Sequence, residues 1–212
     1  MPDFDNVLVV DVESSGIDPL EHGLLSIGAV WLTDLTQTFY VECKLDDFRL
    51  INEKALGING FTKEQCADST KITEHAAVQA LITWSALRGI PLDKIIIAGE
   101  NPHFDRMFVQ LRLNTSGDIH GDYCVSKTTT NWADWPFSRG MLDLHTVAFS
   151  RYFTRLRHSE ICKALLLPPE DCPHNALKGA MSEALCFRKF FGIDTVTNHE
   201  KSELWTDWDA KK

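Results

Sequence analysis

VLVVDVESSGID, residues 7–18, joins an apolar, β-favouring run to a polar turn. Asp11 and Glu13 stand two apart in it, so in a strand both side chains leave from one face. Burying two carboxylates side by side is costly unless a cation neutralises them, although a strand end that dips into solvent tolerates both. Working outward, residues 24–32 (LLSIGAVWL) and 38–43 (TFYVEC) predict two more strands, and with the first they suggest an antiparallel meander. Thr62 with Gln65 makes a capping-box pattern. Ala76, Ala77, Ala80, Leu81, Trp84 and Leu87 then fall at helical spacing from Thr73 to Arg88, ahead of another strand at 94–98 (KIIIA). Asn101-Pro102 supplies a cap residue and a proline at the first helical position, opening an amphipathic helix to about Leu113. Further helices are expected at about 144–156, 159–166 and 175–191. Strands early and helices late predict an α/β protein, a mixed central sheet flanked by helices.

The chain has 212 residues, 44% of them hydrophobic, enough for one sizeable core but short for two. We read one domain over residues 1–192 and a polar tail over 193–212, interrupted by Leu204, Trp205 and Trp208. A formal net charge of -9 is the wrong sign for coating long nucleic acid, so a nucleic-acid enzyme of this composition should grip a short end through metal ions. The six cysteines are scattered without a C-x-x-C pair, which favours reduced, mostly buried thiols. No basic leader precedes the first strand and no segment suits a membrane span, so a cytoplasmic protein with no membrane partner is the expectation.

Two more candidates lie downstream. Asp105 falls in the first turn of the helix after 94–98, where a carboxylate either complements the helix dipole or faces the strand ends. Phe104 and Phe108, four apart, form an apolar ridge beside it. His174 immediately precedes the last helix, as a cap or surface residue or as a proton acceptor with an ordinary pKa near 6.5.

VDVESSGID, ENPHFDRMF and HNAL ahead of a helix together resemble the three exonuclease motifs of the DEDDh family, which groups proofreading subunits, ribonuclease T and oligoribonuclease. ALGINGFTKE and MLDLHTVAF extend the resemblance, which covers about residues 5–191. It implies a ribonuclease H-like fold and metal-dependent 3′-to-5′ release of nucleoside 5′-monophosphates from single-stranded DNA or RNA ends. Two ions, Mg²⁺ or Mn²⁺, are implied, since an all-oxygen ligand set suits hard cations. By resemblance Asp11 bridges both ions, Glu13 completes the site of the ion that activates water, Asp105 supports the second, and His174 accepts the water's proton. The family's fourth acid stands five residues after the histidine, where this chain has Gly179. The resemblance therefore implies one weakened ion site and reduced activity, a non-cleaving 3′-end-binding module, or a variant whose acid was removed to trap a substrate. Glu183, one helical turn on, shares the face but lies about 6 Å farther along the axis.

For substrate contact the resemblance points to Ser14, Ser15, Gly16 and Ile17 beside the terminal nucleotide, with Asn101 and Phe104 from the second motif; an ordinary turn would also use these small residues. Arg151, Arg155 and His158 at i, i+4, i+7 suggest either a phosphate track or a solvated face. Trp132, Trp135 and Phe137 would either stack on unpaired bases or pack as a lid on the core. The tail tryptophans either pack back on the domain or anchor a partner, a second copy or a polymerase-like subunit.

Overall fold

The computed structural model describes residues 4–47, 49–113 and 135–193. Trp132, Leu204, Trp205 and Trp208 lie outside the described residues. Strands β1 (Val7–Ser14), β2 (Leu24–Trp31) and β3 (Asp34–Lys44) form the expected antiparallel meander. β4 (Ile72–Thr73) pairs in parallel with β3, β5 (Ile96–Gly99) in parallel with β1, and β6 (Met141–Asp143) in parallel with β5. The sheet order is therefore β4-β3-β2-β1-β5-β6.

Both faces of this mixed sheet are covered, which explains why β1 and β2 read as nearly continuous apolar runs. Leu8, Val10 and Val12 point to the core shared with α3 (Glu74–Ala86) and α4 (Pro102–Leu111). Val7 and Val9 point to the core shared with α5 (Leu144–Tyr152), α6 (His158–Ala164) and α7 (Ala176–Phe191). The period of two then assigns Asp11 and Glu13 to the α7 side. Two short helices, α1 (Glu53–Asn59) and α2 (Lys63–Cys66), cover the β2–β3 end, and α2 opens with the expected Thr62/Gln65 capping box. Each fully buried valine or leucine of β1 contributes about 1.5–3 kcal/mol, enough to hold the strand while its far end carries repelling charges.

Two sequence expectations change, and one open alternative closes. The helix expected over 144–156 ends at Tyr152, because Phe153 turns left-handed at φ 54°. Arg151, Arg155 and His158 thus share no helix face, and His158 instead starts α6 with its side chain buried. Asn101 is itself left-handed, and its side chain makes no capping bond; its backbone N–H donates to Asp143 instead. Trp135 and Phe137 are buried in the α3/α4 core, edge to face at 5.3 Å, with the Arg106 guanidinium 4.7 Å over the Trp135 ring. Neither ring is free to stack on a base.

Candidate active site

The site forms where β1 runs out beneath the first turn of α7. Gly28 of β2 is the register partner of Asp11, and a β-carbon there would overlap the backbone of Ala176 and Leu177. Glycine at this one position lets the start of α7 lie directly on the sheet beside Asp11. Asn175 caps the helix, its carboxamide oxygen accepting from the backbone N–H groups of Leu177 and Lys178. His174 precedes the cap, anchored by its N–H donating to the Ile58 carbonyl, with its imidazole partly exposed at the rim.

Asp105 reaches the same place from α4. It is 4% exposed, and its Oδ1 accepts a 2.9 Å hydrogen bond from Val12 N–H, between the two acids of β1. Asn59, from the end of α1, donates to the Ser14 carbonyl and to the Glu13 carboxylate. Two carboxylates beyond the expected three join them. Glu183 of α7 is 4% exposed, and its Oε2 has no hydrogen-bond partner among the described residues. Glu170 reaches in from the loop between α6 and α7; its Oε1 lies 3.6 Å from His174 Nδ1 and its Oε2 3.5 Å from His158 Nδ1.

Burial first, then mutual repulsion, shapes the charges of this group. Asp11 is held well above the usual carboxylate range by desolvation, followed by the charges of Glu183, Asp105, Glu13 and Glu170. Desolvation and the charge of Glu170 raise Glu13 to about 7, against the hydrogen bond from Asn59. Asp105 is raised to about 8 by desolvation, although its backbone hydrogen bonds oppose the shift. Glu183 is likewise pushed well up, by burial and then by Asp105. A divalent cation answers each of these costs, and the all-oxygen donor set with an orphaned buried Glu183 oxygen fits a hard ion such as Mg²⁺ or Mn²⁺. The acids do not converge on one point: among the described residues the ligating group closed within 4.8 Å is His158, Cys162 and Cys186. A two-ion arrangement spreads its ligands over ions roughly 3.5–4 Å apart, which suits carboxylates that repel each other.

The His158 group lies behind Glu170. Its Nε2 faces Ser182 Oγ at 3.3 Å and Cys186 Sγ at 4.0 Å, and Cys162 Sγ lies 3.7 Å from Cys186 Sγ. Burial alone would lower the pKa of His158, but the bonds to Cys162 and Glu170 raise it to about 10, so a cation backs Glu170.

The turn after β1 is fixed by internal bonds. Ser14 Oγ donates to the Gly16 carbonyl, and Ser15 Oγ donates to the Leu50 carbonyl while accepting from Gly23 N–H. A β-carbon at Gly16 would overlap the His22 ring. Buried Arg112 donates to the Pro19 and His22 carbonyls and to Glu74, tying the turn to α3 and α4. Ile17 is left 79% exposed at its tip, more open than Leu20 of the same turn. Phe104 packs on Phe108 at 4.9 Å. Glu170 escaped sequence analysis because it stands in an irregular loop, where no periodicity assigns a face; only its closeness to HNAL pointed this way.

No protein-family model matches the sequence, and no curated protein matches it either. Solved structures do. The nuclease domain of 3′hExo, a DEDDh family member bound to rAMP, superposes with TM-score 0.66 at 13% identity, over 88% of this chain and 91% of that one. The zinc-bound complex of E. coli ExoI with single-stranded DNA gives 0.64 at 17% identity, over 87% of this chain. Cell-death related nuclease 4 (CRN-4) gives 0.64 at 12%, over 88% of this chain and 64% of that one. The fold is that of the ribonuclease H-like nucleases. This chain spans 40% of the ExoI chain, so the likeness concerns the shared sheet and its helices. Within that ribonuclease H-like frame, the carboxylates gather at the ends of β1 and β5, under the start of α7.

Proposed function

We propose that residues 1–192 form a metal-dependent exonuclease domain that removes nucleoside 5′-monophosphates from the 3′ end of single-stranded DNA or RNA. The observation that carries this reading is that Asp11, Glu13, Asp105 and buried Glu183, from three separate elements, lie near enough for their charges to act on one another, with His174 at the rim. Asp11, Glu13 and Asp105 would hold divalent ions, which when bound polarise the scissile phosphate and lower the pKa of water. His174 would accept a proton from a water at the cluster, with Glu170 Oε1 3.6 Å from its Nδ1 to orient the ring. In this reading exposed Ile17 would offer an apolar edge to the terminal base, on a turn that Gly16 lets pack against the His22 ring.

Gly179 withdraws the ligand that an acid at that position would supply, which by itself predicts weaker binding of one ion and slower turnover. The competing reading, a 3′-end-binding module without cleavage, follows if nothing replaces that ligand. Five carboxylates at one site favour cleavage, because a pure binding site would not need a charge density that opposes a phosphate. The test is incubation of end-labelled DNA and RNA oligonucleotides with Mg²⁺ or Mn²⁺. Mononucleotides released stepwise from the 3′ end support the proposal; binding without release in either metal supports the module, and internal cuts in a circular single strand refute the end specificity.

A further inference from the structure

We infer that Glu170 supplies the carboxylate ligand that α7 lacks at position 179, so that the ion beside Asp11 and Glu13 is held from the loop instead of from the helix. This rests on the exonuclease reading above and goes beyond it by assigning a ligand from outside the three motifs.

The argument begins with space. A β-carbon at Gly179 would overlap Asp11 Oδ2 and lie 3.3 Å from Glu170 Oε1. The volume that a side chain at 179 would fill is thus already shared by two carboxylates, one from β1 and one from the α6–α7 loop. Charge agrees with space: after burial, Glu170 is the largest influence raising the Glu13 carboxyl, and it also raises Asp11. Glu170 therefore neighbours the two acids that an ion at this end of the site would use.

An acidic cluster alone would not justify a cation. The independent observation is Glu183, 4% exposed, whose Oε2 makes no close hydrogen bond among the described residues although the Glu100 backbone N–H faces the carboxylate, and whose charge is felt by Asp11. A buried carboxylate oxygen without a close donor marks a place where a cation completes the structure. The loop is also built to aim Glu170. Its two oxygens face His174 and His158, and His158 is in turn packed against Ser182 and Cys186 of α7, the kind of support that orients a metal ligand.

The test compares the parent protein with Glu170→Gln and Glu170→Asp by Mn²⁺ titration calorimetry, by release of mononucleotides in Mn²⁺, and by the pH dependence of that release. Parent protein should bind Mn²⁺ and release nucleotides. Glu170→Gln should lose at least tenfold in affinity for one ion and at least a hundredfold in rate, and Glu170→Asp should recover part of both. Unchanged Mn²⁺ affinity and rate in Glu170→Gln, with an active parent, overturn the inference and leave the exonuclease reading intact. Unchanged Mn²⁺ affinity with a displaced pH profile also overturns it, since Glu170 would then act only through His174. A parent that neither binds Mn²⁺ nor releases nucleotides overturns the exonuclease reading first. Melting of the metal-free forms checks that each variant is folded, because Glu170→Gln relieves repulsion with Asp11 and Glu13 but gives up the charge that faces His158.

Discussion

Replacing Gly179 with alanine adds one methyl group where α7 meets the carboxylates. The new carbon would overlap Asp11 Oδ2 and sit 3.0 Å from Asp11 Cγ, short of the roughly 3.5–4.0 Å of a relaxed contact. The Asp11 carboxylate must then move by about 1 Å, and a misplacement of that size in a catalytic arrangement costs on the order of 10²-fold in rate. Stability changes far less. Alanine gains about 1 kcal/mol over glycine inside a helix, and overpacking costs about 1–3 kcal/mol, at the low end when the displaced atoms are the tip of a side chain. The net is about 0 to -1 kcal/mol, a melting shift within about 4 °C for a chain of this size. Labelled-oligonucleotide release and thermal melting, run side by side on Gly179→Ala, should show a large loss of rate with little loss of stability. Gly179→Asp carries the same overlap plus one more negative charge, and should also be slower than the parent. A fully active alanine variant would refute the argument that Asp11 rests against this helix. A tenfold faster aspartate variant would show that the glycine does limit the enzyme.

Three more outcomes follow from the charges and the packing. Glu13 at about 7 and Asp105 at about 8 titrate above their unfolded values of 4.5 and 3.8, so the folded state binds more protons between those limits. Stability of the metal-free protein should therefore be highest below about pH 4 with respect to these groups and should fall as pH rises to 8; for Glu13 alone the loss is about 3 kcal/mol above pH 7. Melting curves from pH 4 to 8 with and without Mg²⁺ test this, and stabilisation by Mg²⁺ that fails to grow with pH would contradict it. Asp105→Asn keeps an acceptor for Val12 N–H but removes a buried charge, so the metal-free form should melt higher while nucleotide release falls at least a hundredfold. Trp135→Ala should cost about 3–5 kcal/mol of stability through cavity formation, and oligonucleotide affinity of the folded variant should stay close to that of the parent.

The strand meander, the helices that flank it and the positions of Asp11, Glu13 and Asp105 at the ends of their elements were legible along the chain, because each rests on local periodicity or a local signal. Asp11 and Glu13 share a face through the period of two, and Asp105 is placed by the Pro102 helix start directly after β5. Where local signals ran through a backbone reversal, the reading failed: Phe153 turns left-handed, and the basic stripe drawn across it separates into an exposed Arg151 and a buried His158. Tertiary structure alone decided what the glycine at 179 means. In sequence it is a missing acid; in the fold the same position is filled by a carboxylate from β1 and approached by one from a loop nine residues upstream. No pattern along the chain encodes that proximity, since it depends on Gly28 letting α7 settle onto the sheet and on a loop whose direction is fixed only by what it packs against.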